Sequence, residues 1–378
     1  MRHQQLIALA VWAVASVLAP AVVWAEPYLM MRTGAKCSAC HTNQTGGGKR
    51  TAFAHIHGKD ILHDLDLLPV PPGLKPFNGE LNSYVSIGGD LRVRNTTVFA
   101  DQPNAAGRVP SNRAFRRGVS SNEIDLNEAL LYLQVDLLPD LVTFYLDEDV
   151  TNGATTREAF GLVRGFLPWD TYLKAGRLFP TFGLRVQDDQ AYVRTNTGFT
   201  FKNPDDGIEF GTQPGPFFLA TSITNAQSGD KDVLASFNAY GVFEDIPVVR
   251  SITAGGSFAR INHKRSVGAL YGGSNLWQFT YLGELDFIDD RTSTDARRDQ
   301  YASYAELDWL LLDWLNLRGT FEFLKVAGDR NQTRYTIGAE PFINRVIQPR
   351  IQYRINNAPG SEPDLNTTEL IVELHLWF

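Results

Sequence analysis

The chain has little of the chemistry on which small folded sites usually rely. Cysteine occurs twice in 378 residues, as Cys37 and Cys40, and methionine three times, as Met1, Met30 and Met31. Two thiols are too few for a disulfide scaffold or for a structural zinc site, and no βαβ surroundings suggest a thioredoxin-like dithiol. Excess basic charge is also missing. Lys and Arg number 35 against 42 Asp and Glu, a net charge of −7, which gives no support to nucleic-acid binding. After the first 25 residues nothing resembles a stop-transfer segment, and no helical period is sustained over several turns.

The two cysteines stand in one motif, Cys37 Ser38 Ala39 Cys40 His41, with the spacing of c-type haem attachment. Two thiols so placed reach the two vinyl groups of one porphyrin, and the adjoining His41 imidazole reaches the iron as its proximal ligand. One covalent haem c is the expected cofactor, with Cys37, Cys40, His41 and a distal group as its site. His55, His57 and His63 follow the motif, whereas Met30 and Met31 precede it. A helix beginning at Arg50 places Phe53, His57 and Ile61 on one stripe and turns His55 away, which favours His57 as the distal ligand over His55, His63 and Met31. Surface histidines over an open or water-bound iron are the other reading. Lys36, Lys49 and Arg50 are available to pair with propionates or to face solvent, and Gly46 Gly47 Gly48 permits a tight turn or close approach to a porphyrin.

Residues 1–25 read as a signal peptide: Arg2, an apolar run from Leu6 to Leu18, and small residues before Glu26. Residues 26–80 form a small haem domain ending in a proline-dense connector, Leu67 Leu68 Pro69 Val70 Pro71 Pro72 Gly73 Leu74 Lys75 Pro76. A domain of that size seldom holds together without a cofactor as core.

Residues 81–378 change character to alternating segments bounded by turns. In one, Val85, Ile87, Leu91 and Val93 alternate with Ser86, Asp90, Arg92 and Arg94. In the last, Leu370, Val372, Leu374, Leu376 and Phe378 alternate with Glu369, Glu373, His375 and Trp377. Charges on one face and apolar residues on the other suit a strand between lipid and a wet lumen, although a soluble sandwich shows similar alternation. Tight turns are expected at Pro139, at Pro168 with Trp169, at Pro214 with Gly215, at Pro247, at Gly273 Ser274 Asn275, at Asp313 and at Asn344. Longer polar connections alternate with them. The expected fold is all-β: an antiparallel outer-membrane β-barrel of about 16 strands, both ends on the short-turn side, with the N-terminal haem domain as a lumenal plug. Trp169, Tyr172, Trp277, Tyr281, Trp309, Trp314 and Trp377 are expected near the membrane interfaces. The long connection from Phe179 to Asp206 mixes charges with aromatics, and either folds into the lumen, narrowing it or meeting the haem domain, or packs on the rim.

In its N-terminal module the chain resembles the fused monohaem cytochrome-porins of the outer membrane, known as iron(II) oxidases. The resemblance rests on Ala25 Glu26 Pro27, Thr33 Gly34, Cys37 to His41, Gly48 and Phe53 in that order; the barrel resembles the family in architecture only. Thr42 Asn43 Gln44 Thr45 Gly46 departs from the family's Pro and Leu after the haem motif. Lys174 to Gly183 also looks like anion-selective porins, a weaker match. The resemblance implies an iron(II):cytochrome c oxidoreductase. Since an apolar band about 25 Å tall separates the two sides, one haem relays electrons only from within the lumen. The expected function is therefore an electron conduit from extracellular iron(II) to a periplasmic cytochrome c, in contact with outer-membrane lipid. Asp289, Asp290 and Glu373 are candidate transient oxygen ligands for iron. An outward conduit to an extracellular acceptor, and a solute or anion porin with a structural or sensory haem, are the alternatives.

Overall fold

Alternation of apolar and charged side chains along each strand gives a sheet with one greasy and one wet face, and here that sheet closes on itself. A computed structural model describes residues 27–51, 53–54, 77–101, 117–226, 232–262, 264–291, 298–326, 331–344, 346–358 and 366–378. Sixteen strands follow one another around the wall. They are β1 (Val85–Asp101), β2 (Arg117–Leu138), β3 (Val142–Asp149), β4 (Thr155–Arg164), β5 (Tyr172–Leu178), β6 (Asp205–Thr212), β7 (Phe217–Thr224) and β8 (Leu234–Ile246). The second half comprises β9 (Val249–Ile261), β10 (Arg265–Leu276), β11 (Phe279–Asp290), β12 (Arg298–Leu312), β13 (Leu315–Val326), β14 (Gln332–Pro341), β15 (Ile347–Asn357) and β16 (Thr367–Trp377). All neighbours are antiparallel, and β1 closes on β16 from Asp90 opposite Trp377 to Ala100 opposite Thr367. Closure leaves no unpaired edge, which a lipid environment requires.

The alternation expected at both ends of the wall is found. Leu91 and Val93 of β1 and Leu370, Val372 and Leu374 of β16 face outward, while Ile371, Glu373, His375 and Trp377 are buried inside. An apolar exterior around a charged bore is the construction of an outer-membrane barrel, and the chain belongs in that membrane. Short turns join the strands at the end where β1 starts and β16 finishes. One expected turn is displaced: Gly273 Ser274 Asn275 lies within β10, and the reversal falls at Trp277, whose φ of 54° supplies the left-handed residue. Gly273 serves close approach instead, since a Cβ there would stand 2.9 Å from the Met31 sulfur. One aromatic, Tyr172, differs from the belt position expected of it, whereas Trp377 follows the inward face that the alternation of β16 gives it. Tyr172 and Trp377 are buried in the bore, and Tyr172 Oη donates to Glu209 Oε1 at 3.0 Å, whereas Trp169, Trp277 and Tyr281 are exposed.

The bore is filled from two directions. Residues 27–51 enter it with two short helices, α1 (Pro27–Thr33) and α2 (Cys37–Cys40), and α1 packs on β9, β10 and β11. Residues 179–204, the third connection at the long-loop end, fold inward and carry α3 (Tyr192–Thr195) against β11, β12 and β13. Wall carboxylates hold this connection by its backbone: Leu184 N donates to Glu284 Oε2 at 2.9 Å and Tyr192 N to Glu322 Oε2 at 2.8 Å.

Candidate functional site

Where the two fillings meet they enclose a cavity of about 1150 Å³, solvent space included. Residues 27–51 contribute Met30, Cys37, His41, Arg50 and the Gly46 Gly47 Gly48 turn. The inward connection contributes Leu184, Arg185 and Phe201. The wall adds Tyr132, Phe218, Tyr240 and Tyr271, with Asp90, Arg92, Glu128, Arg157 and His375. The one-turn α2 brings Cys37 and His41 to the same space, with His41 N donating to Cys37 O at 3.0 Å.

The glycine turn is needed for this approach. Gly46 has φ of 90°, and a Cβ there would lie 3.3 Å from the Cys37 sulfur. Its carbonyl accepts from Arg185 Nη1 at 3.1 Å, so the inward connection and the N-terminal segment are joined beside the thiol.

Burial pushes the Cys37 thiol up from its ordinary range, partly offset by a hydrogen bond with Tyr240, and burial followed by the neighbouring Cys37 does the same for Cys40. Both thiols are therefore protonated at neutral pH, unsuited to act as free nucleophiles or zinc ligands. A neutral thioether at either position carries no such desolvation cost. Cys40 does not line the cavity; it is buried next to it with Ala35 and Ala54.

The remaining expected residues are distributed unevenly. Met31 packs on the wall at Gly273, and its carbonyl accepts from Ser251 Oγ, so it is Met30 that reaches the cavity. His55, His57 and His63 lie outside the described residues, as do residues 1–25 and the proline-dense connector. Lys36 Nζ donates to Gly215 O at 2.6 Å and Lys49 Nζ to Arg50 O at 3.0 Å, so neither lysine turns to the cavity. Burial lowers the Lys49 ammonium to about 8. Arg50 does face the cavity, its guanidinium 4.6 Å from the Trp377 ring centroid. Asp289 and Asp290 pair with Arg291 at 3.4 Å and Arg265 at 3.7 Å, and Glu373 with Arg94 at 2.7 Å. Among the described residues no cluster of three His, Cys, Asp or Glu side chains is arranged for a metal ion.

Sequence reading missed the wall's share. Asp147, Arg157, Glu128, Arg92 and Asp90, with His375 hydrogen-bonded to Asp90 at its end, form a polar chain around five strands, with contacts of 3.6, 2.9, 2.7, 3.1 and 2.8 Å in that order. Four guanidinium groups and two carboxylates line the cavity, an excess of two positive charges among its Arg, Asp and Glu side chains. An amphiphilic, doubly anionic ligand with thioether attachment and one axial imidazole fits such a lining: aromatic rings near Cys37 and guanidinium groups for carboxylates. A haem with two propionates has this chemistry.

No family model and no curated relative matches the sequence. Solved structures do match in fold. The outer-membrane expressed OmpT of Vibrio cholerae aligns over 79% of this chain and 99% of its own, with a TM-score of 0.56 and 11% identity. The anion-selective porin from Comamonas acidovorans aligns over 79% and 100%, at 0.54 and 12%. The outer membrane channel DcaP of Acinetobacter baumannii aligns over 78% and 97%, at 0.52 and 10%. The chain thus has the fold of an outer-membrane porin-like β-barrel.

Proposed function

We propose that this chain is a fused monohaem cytochrome-porin, carrying electrons through the outer membrane from extracellular iron(II) to a periplasmic cytochrome c. The observation that supports this most is the cavity inside the bore, bordered together by Cys37 and His41 of the haem motif and by aromatic and guanidinium side chains of the wall. A haem c held there would supply one-electron storage inside the bore. The protein's own residues do the rest. Cys37 and Cys40 would tether it, His41 would ligate its iron, Arg50, Arg92, Arg157 and Arg185 would face its carboxylates, and Phe201 and Gln187 lie between this cavity and the next one in the bore. His57 remains the proposed distal ligand, and Met30 and His375 are the iron-binding side chains that the cavity lining adds.

A haem stain on a denaturing gel is expected to follow the polypeptide and to vanish in the Cys37→Ala, Cys40→Ala double variant. Membranes carrying the protein should reduce their haem on addition of iron(II), and replacement of His41 should abolish this. If iron(II) leaves the haem oxidised while a periplasmic donor reduces it and an external iron(III) chelate reoxidises it, electrons run outward. A second reading, a solute porin, draws on a second large cavity in the bore; a steady ion current through the haem-loaded protein would favour it.

A further inference from the structure

The chain from Cys40 to Thr51 doubles back on itself inside the bore. His41 and Arg50 form an antiparallel bridge, Thr42 N donates to Lys49 O at 3.1 Å, and Thr51 N donates to Cys40 O at 2.8 Å. His41 and Arg50 both border the cavity. Backbone pairing of this kind makes the pose of His41 depend on whatever holds the opposite strand of the hairpin, Lys49 to Thr51.

That strand is fastened to the wall on two sides. The Arg50 guanidinium lies 4.6 Å from the centroid of the Trp377 ring on β16. At Lys49 the carbonyl is used within the hairpin, whereas the amide turns to the wall and donates to Tyr145 Oη of β3 at 2.9 Å. Tyr145 is fully buried, and its ring stacks on that of Phe160, its register partner on β4, with centroids 4.9 Å apart. The acceptor is thus held still. The fit on the hairpin side is equally close: Gly48 has φ of 68°, and a Cβ there would stand 2.2 Å from the Tyr145 hydroxyl oxygen. Tyr145 itself does not border the cavity. Its hydroxyl therefore reaches the contents of that cavity only through the hairpin.

We propose that Tyr145 is a positioning residue for the haem: by holding the Lys49 amide it fixes the hairpin on which the axial His41 stands, and so sets how firmly the iron is ligated. This rests on the haem reading above. Without the hydroxyl a buried amide loses its acceptor, and the hairpin gains by shifting toward another one. A ligand carried on a shifted backbone is held less well, and the haem registers the change as surely as if a group beside the ligand had been replaced.

Tyr145→Phe keeps the ring stack and removes the acceptor alone. In the purified, haem-loaded protein it is expected to shift the midpoint potential upward, since a looser imidazole donates less to iron(III), and to broaden the ferric EPR spectrum. Haem content by gel stain and the heat-modifiable mobility of the barrel should stay at the wild-type level. Gly48→Ala tests the same contact from the hairpin side and should act in the same direction. Most of the contact's share should disappear when Gly48→Ala is made in the Tyr145→Phe background, where the oxygen that the new Cβ meets is gone; the strain of alanine at positive φ is common to both backgrounds and cancels in the comparison. A Tyr145→Phe protein with the potential and spectrum of wild type, or a Gly48→Ala effect of equal size in the two backgrounds, overturns this proposal alone. A wild-type polypeptide that carries no haem overturns the haem reading and the proposal together.

Discussion

Asn43 is the joint between the lumenal segment and the wall, and its loss should open the bore. Its side-chain amide donates to both oxygens of Glu158, at 2.9 and 2.8 Å, and its side-chain carbonyl accepts from Lys174 Nζ at 3.1 Å. Lys174 pairs in turn with Glu209 at 2.9 Å, and all four side chains are fully buried. Asn43→Ala removes three hydrogen bonds with charged partners, each worth about 1.5–3 kcal/mol. Glu158 keeps the Phe179 amide at 3.1 Å and Lys174 keeps Glu209, so the loss falls below that sum, to about 3 kcal/mol. That raises the undocked population roughly 150-fold. Limited trypsin cleavage after Lys36, Lys49 or Arg50 reads this population directly when reclosing outruns cleavage. Gln44→Ala is the comparison, since it loses one neutral bond, from Gln213 Nε2 at 3.0 Å, worth about 1 kcal/mol or roughly fivefold. Cleavage of Asn43→Ala no faster than Gln44→Ala, in a barrel of unchanged heat-modifiable mobility, would refute the reasoning.

Three further outcomes are expected. His57→Ala should turn a low-spin haem spectrum high-spin; the same change in Met30→Leu or His375→Gln, with His57→Ala silent, moves the distal ligand to the cavity lining. Burial alone would raise the Asp188 carboxyl, but Arg354 and then Arg334 outweigh it and hold it below its ordinary value. The ion pair's stabilisation is then complete above the unfolded value of about 3.9 and is lost as pH falls through the lower folded value. Bilayer conductance should accordingly stay level from pH 7 to about 4 and rise below, and Arg354→Gln should move that rise to higher pH. Epitope tags at Gly153 should bind antibody on intact cells and tags at Asp313 should not; the reverse pattern inverts the barrel.

The wall was legible because its rule is local. Period-two alternation and turn residues locate strands one at a time, and Pro139, Pro168, Pro214 and Asp313 mark reversals without knowledge of the fold. The exceptions obey a longer-range rule. Gly273 Ser274 Asn275 carries turn composition, yet Gly273 serves the close approach of Met31 and of the neighbouring strand to the wall. Tyr172 looks like a belt aromatic in sequence, and only the contents of the bore explain why it faces inward, whereas the alternation of the last strand already turns Trp377 to the wet face. The cavity itself was half legible. Cys37 and His41 announce themselves by adjacency, whereas Arg92, Arg157 and His375 reach them only through barrel closure, with no local pattern to separate them from other lumenal charges. Met30 and Met31 differ by one step of a short helix, which decides between cavity and wall.

The seam between the first and last strands has a consequence for how the molecule is put together. His375 and Asp90 bridge β16 to β1 at 2.8 Å, and Trp377 at the same seam lies beneath Arg50 of the lumenal segment. The Phe378 ring is 6.1 Å from that of Phe77, just before the first strand. The residues that zip the cylinder shut are thus the ones that grip its contents. Sealing the seam and seating the segment draw on neighbouring side chains, so a chain whose lumenal segment is not in place lacks the Arg50 contact on its final strand.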